Sequence, residues 1–167
     1  MQVTIFDAVV STPLRMLHNL DAILGKAEAA IAEGKLKEDD VLRARLAPDM
    51  FDFTRQVQLV TDFAKSPAAR LAGVEVPKFP DEETSLSQLR ARIGKVAAFV
   101  RTFQPAQFEG AAERQIVIPL RDRTLEMKGS DYLLGFAQPN FYFHYTTAYG
   151  LLRHLGLEIG KRDYVGG

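Results

Sequence analysis

Cysteine is absent from the 167 residues, which excludes disulfides, thiolate metal ligands and cysteine nucleophiles and leaves oxygen and nitrogen to carry any chemistry. An excess of either charge is missing as well. The 21 Lys and Arg are matched by 21 Asp and Glu, so no net field draws the chain to a phosphate backbone or an anionic bilayer, and no nucleic acid is expected as a partner. No apolar run approaches the ~20 residues of a spanning helix, so no membrane partner is expected either. The start of the chain, Met1 to Asp7, has neither a basic stretch before an apolar one nor a small-residue cleavage site. It does not read as a signal peptide, and the expectation is a cytoplasmic protein.

What is present is an ordinary globular composition, 47% hydrophobic and 25% charged. A chain of this length buries roughly 70% of the surface its unfolded form exposes, enough for one core. Without an internal repeat or a break in composition, residues 1–167 read as one domain.

Apolar residues recur as Phe6, Val9, Pro13, Leu17, Leu20, Leu24, Ala27 and Ile31, in the steps of three and four that make one face of a helix ending near Gly34. Pro13 predicts a kink or a frayed first turn there. A short helical turn follows at Asp39 and Asp40. Asp49 is placed to cap a second helix with the stripe Phe53, Val57, Val60 and Ala64, stopped by Gly73. Gly73 to Ser85 has loop composition, and Thr84 or Ser85 caps a third helix from Leu86 to Phe103, closed by Pro105. Gln115–Leu120 and Thr124–Met127, flanking Arg121-Asp122-Arg123, read as a hairpin, with Pro119 confining its strand to an edge. Gly129 and Ser130 reopen a helix, Pro139 interrupts it, and a fourth helix spans Phe141 to Leu155. The expected fold is all-α: an up-and-down four-helix bundle with a short β-hairpin before the last helix.

The fourth helix carries the most chemistry. Steps of three and four through Phe141, His144, Ala148, Leu151 and Leu155 put His144 on the buried stripe, with Asn140 one turn earlier on the same face. On the second helix Asp49, Asp52, Gln56, Val60 and Phe63 group together, so two polar clusters can meet across the core. His144 then has two readings: a core histidine hydrogen-bonded to Gln56 or a tyrosine, or part of a metal or ligand site in the bundle interior. His18 and His154 fall at stripe edges and read as surface or cap residues. Phe141, Tyr142, Phe143, Tyr145 and Tyr149 cover every side of the fourth helix, which fits either a subunit interface or the lining of a pocket.

Several stretches resemble an uncharacterised bacterial family within the DinB-like (YfiT-like) four-helix-bundle superfamily. They are Leu46-Ala47-Pro48-Asp49-Met50, Gln56-Val57-Gln58, Asp62-Phe63-Ala64-Lys65, Ala69-Arg70-Leu71-Ala72-Gly73, Pro139-Asn140-Phe141-Tyr142-Phe143-His144 and Leu151-Leu152-Arg153-His154-Leu155-Gly156 with Gly160-Lys161. The resemblance implies a helical bundle, often a homodimer, with a divalent metal on three histidines, one from the second helix and two from a His-x-x-x-His pair on the fourth. Some members are thiol transferases. Carried over, His144 matches the second histidine of the pair, Asn140 stands at the first, and Gln56 or Gln58 stands where the second helix's histidine would be. The expectation is a homodimer that binds a small molecule or a partner through Gln56, Asn140, His144 and Tyr145, with no metal favoured. The alternative is a transferase or hydrolase dependent on Zn²⁺ or Ni²⁺, with His144, Asn140 and Asp52 as ligands.

Overall fold

A computed structural model describes residues 3–120 and 122–166 of the chain. Arg121, in the expected bend of the hairpin, lies outside the described residues.

The first helix begins in a π-helical turn, Asp7–Ser11, and passes without a break into α1, Thr12–Ala32. The irregularity expected at Pro13 takes this form: the widened turn precedes a proline, which cannot donate a backbone hydrogen bond. The short helix α2, Glu38–Arg43, carries three acidic residues in its first turn, where the helix dipole favours them, and buries Val41 and Leu42.

The next helix starts later than the sequence suggests. Asp49 is exposed in a turn closed by the Met50 N–H donating to the Ala47 carbonyl at 3.0 Å. The cap of α3, Phe53–Ala72, is Asp52, whose Oδ1 accepts from the Arg55 N–H at 2.9 Å. At the other end Gly73 adopts φ 75°, the left-handed conformation that glycine takes without strain. α4, Leu86–Val100, is capped by Ser85 as expected, with Oγ accepting from the Gln88 N–H at 3.2 Å.

Pro105–Phe108 forms a single 3₁₀ turn. The hairpin follows where the alternation predicts it: β1, Gln115–Pro119, pairs antiparallel with β2, Thr124–Lys128, in the register Gln115 with Lys128 and Pro119 with Thr124. Ile116 and Ile118 turn inward. A short helix α5, Gly129–Tyr132, then runs through a second π turn, Leu133–Ala137, into α6, Gln138–His154. Pro139 does not interrupt this helix. It occupies the first turn of α6 directly after the π turn, repeating the arrangement at Pro13. A five-residue helix that no apolar stripe announced, α7, Lys161–Val165, packs back on α1.

The described residues are thus mostly helical with one two-stranded sheet. α3 packs against both α6 and α4, and α1 against α4. The core between them contains Leu17, Leu20, Leu24, Val57, Val60, Leu89, Leu151 and Leu152, all without solvent contact. Each such side chain contributes roughly 1.5–3 kcal/mol on burial. Among the described residues no helix is long and apolar enough to cross a membrane.

Candidate functional site

The two polar clusters read from the sequence do meet, on the seam where the first turns of α3 face α6. His144 Nδ1 lies 2.8 Å from Gln56 Oε1, and Gln56 Nε2 donates to the Phe51 carbonyl at 3.3 Å. Because the amide nitrogen is committed to a carbonyl, its oxygen is the acceptor, and the network assigns the proton of a neutral imidazole to Nδ1. Both residues are buried, Gln56 at 1% and His144 at 8% exposure. Phe63 stacks on the imidazole at 5.7 Å between ring centres, and Phe143 meets it edge-on at 5.2 Å. Burial first, and then the nearby Arg55 cation, lower the His144 pKa from its ordinary value, which favours the neutral ring.

This leaves Nε2 as a lone-pair nitrogen. It has no hydrogen-bond partner among the described residues, and none of their unpartnered side-chain nitrogens or oxygens is sealed from solvent, so Nε2 reaches water. Beside the imidazole Phe143 is 55% exposed, and Phe51, whose carbonyl holds Gln56 and whose ring lies 5.8 Å from the Arg55 guanidinium, is 54% exposed.

The other candidates are placed differently. Asn140 lies one turn before His144, and its Nδ2 donates to the Phe136 carbonyl at 2.7 Å. Asp52 is occupied as the α3 cap and accepts from Arg45 Nη2 at 3.2 Å. Gln58 points to the opposite seam, where its Nε2 donates to Glu83 at 2.8 Å. Tyr145 is a core residue, packed against Tyr164 at 4.7 Å between ring centres. Burial and Tyr164 push its hydroxyl pKa upward. His18 and His154 are exposed. Phe136, part of the aromatic lining through Phe63 at 5.9 Å, escaped the sequence reading because its π turn looked like a connection into a broken helix.

The donor set does not fit the metal that the resemblance implies. One imidazole is available, with one of its nitrogens engaged. The two positions that would complete the set are amides, weak neutral ligands beside histidine, and the Gln56 oxygen is already taken by His144. Among the described residues no three His, Cys, Asp or Glu side chains gather within reach of one ion.

Long helices packed on one apolar core, with the polar pair Gln56 and His144 joining the second and last of them, make a mostly helical protein, and its likeness to a solved DinB family member puts it in the DinB-like class. Its family is narrower: residues 5–165 match the domain of unknown function DUF1993, and the chain belongs to that family. A crystal structure of a DinB family member protein from Shewanella denitrificans superposes with a TM-score of 0.90 at 44% identity, covering 97% of this chain and 92% of that one. No curated protein matches.

Proposed function

We propose that the chain is a binding protein that keeps the superfamily's up-and-down bundle without its metal ligand set, and that it forms a homodimer through the α3–α6 face around His144. One observation carries this reading: a neutral imidazole, locked by Gln56, keeps Nε2 free beside the exposed ring of Phe143, while the exposed Phe51 is tied to the same Gln56 through its carbonyl. An apolar rim around a single hydrogen-bond acceptor suits a surface that is covered by another one, because aromatic side chains bury large areas at small entropic cost while the acceptor selects a donor. The zero net charge opposes no self-association. A small molecule with an apolar body and one hydrogen-bond donor is the other occupant this chemistry admits.

The test is the mass in solution. Light scattering at tens of micromolar should give a dimer for the wild-type chain and a monomer for Phe143→Glu, which places a charge at a side chain more than half exposed. A wild-type monomer, or a Phe143→Glu dimer, overturns the assignment of this face. The metal-dependent transferase or hydrolase reading is favoured by the free Nε2 alone, since that is the lone pair a Zn²⁺ or Ni²⁺ ion would take.

A further inference from the structure

A second polar system lies on the opposite side of α3. Arg92 of α4, with 2% of its side chain exposed, donates from Nε to Thr61 Oγ1 at 2.7 Å, from Nη1 to the Pro80 carbonyl at 2.8 Å and Glu83 at 3.1 Å, and from Nη2 to Asp62 at 3.2 Å. Asp81 Oδ1 stands 2.9 Å from Nη2. Arg55 reaches Asp81 at 2.5 Å, and the buried Lys65 ammonium pairs with Asp62. Phe79 lies beneath both Lys65 and Lys95, at 5.3 and 4.3 Å from its ring centre. Pro80, Asp81 and Glu83 all belong to the irregular segment between α3 and α4, which crosses the seam as a strap. Connections this long without secondary structure of their own are uncommon and are often functional.

We propose that the α3–α4 seam is a binding site for a small dianion, a dicarboxylate or a phosphate, which the strap closes with two carboxylates of its own. The charges support it. Among the ion-paired groups the helices hold three cations, Arg55, Lys65 and Arg92, against one carboxylate, Asp62, a surplus of two positive charges, and Lys95 adds a further cation over Phe79. The strap neutralises that surplus with Asp81 and Glu83. The shape supports it too. Depressions of about 390 and 520 Å³ flank the strap on its two sides, and Glu83 forms part of the wall of both, so lifting the strap joins them into one groove. Arg92 is the recognition element, since its planar fork already holds the carboxylates of Asp62, Asp81 and Glu83 and the Pro80 carbonyl, the kind of acceptor a phosphate or a dicarboxylate offers. Arg55 is shared with the surroundings of His144, but this proposal is read from anion-dependent melting and the dimer assignment from mass in solution, so the two fail separately.

The test removes the internal anion and supplies another. Asp81→Asn combined with Glu83→Gln should lower the melting temperature in sodium chloride. Inorganic phosphate or succinate at millimolar concentration and matched ionic strength should then raise it by several degrees, because a ligand stabilises the state it binds. The wild-type chain, with its site filled, should move by much less. Adding Arg55→Gln to the double variant should reduce the rise. The anion with the larger effect identifies the ligand class. Equal melting in phosphate, succinate and chloride overturns the proposal. If the double variant is unfolded in chloride, phosphate or succinate must restore folding, and a chain that stays unfolded in all three also overturns it.

Discussion

Replacing His144 by Ala separates a histidine that holds the seam together from one that holds a metal. The substitution removes a ring stacked on Phe63 and leaves Gln56 Oε1 without its donor at a site 1% exposed. Large-to-small changes in a core cost roughly 2–5 kcal/mol. The low end applies here because Nε2 already reaches solvent and water can enter the space. An orphaned buried acceptor adds about 1–3 kcal/mol, again toward the low end if water reaches it. The expected loss is about 3 kcal/mol, which for a domain of this length lowers the melting temperature by about 6–12 °C. Urea denaturation and a thermal melt measure it, with His18→Ala and His154→Ala as exposed controls expected within about 0.5 kcal/mol of wild type. A His144→Ala protein less than about 1 kcal/mol below wild type would refute the argument that the Gln56 contact anchors the seam. The same melts with excess Zn²⁺ or Ni²⁺ decide the other question. A wild-type rise of several degrees that His144→Ala abolishes, and the two controls keep, would refute the metal-free reading.

Two further outcomes follow from the same geometry. The folded state holds the His144 pKa below its ordinary value of 6.5, so protonation is harder folded than unfolded; the stability this confers is intact above pH 6.5 and is lost as the pH falls toward the folded pKa. Wild type should therefore lose stability from pH 7 to pH 5 more steeply than His144→Gln, measured by urea denaturation at each pH; parallel curves would contradict it. Gly129→Ala places a methyl group 1.9 Å from the Ala111 carbonyl oxygen, so backbone must move and the cost should be roughly 2–4 kcal/mol by thermal melting, whereas a neutral result would show that the junction of β2 and α5 is soft.

The long helices were legible because each buries one stripe, and a stripe repeating in steps of three and four has no other stable use. Gly73 and Ser85 were legible for a different reason: a left-handed stop and an N-cap are demands of the local backbone that few residue types meet. The helix start at Asp52 was not. Asp49 and Asp52 are equally good caps by type, and the choice is made by tertiary contacts, the Phe53 N–H donating to the Ala44 carbonyl and Arg45 holding the Asp52 carboxylate. The polar pair at Gln56 and His144 was readable because both sit on apolar stripes. Arg92 sits on one too, between Leu89 and Val96, yet its partners Pro80, Asp81 and Glu83 come from a segment whose path over the helices no periodicity encodes.

The second π turn sets the aim of the site. A π turn accommodates one residue more than the α-helical turn it replaces, and one residue corresponds to about 100° of rotation about the helix axis. The turn at Leu133–Ala137 stands between α5, anchored at its start by Gly129 against the Ala111 carbonyl, and α6, which bears Asn140, Phe143 and His144. The compass bearing of His144 is thus fixed seven to eleven residues upstream of it. Shortening that turn by one residue would swing the imidazole off Gln56 and the Phe143 ring off the rim together, while every side chain on α6 kept its neighbours along the helix.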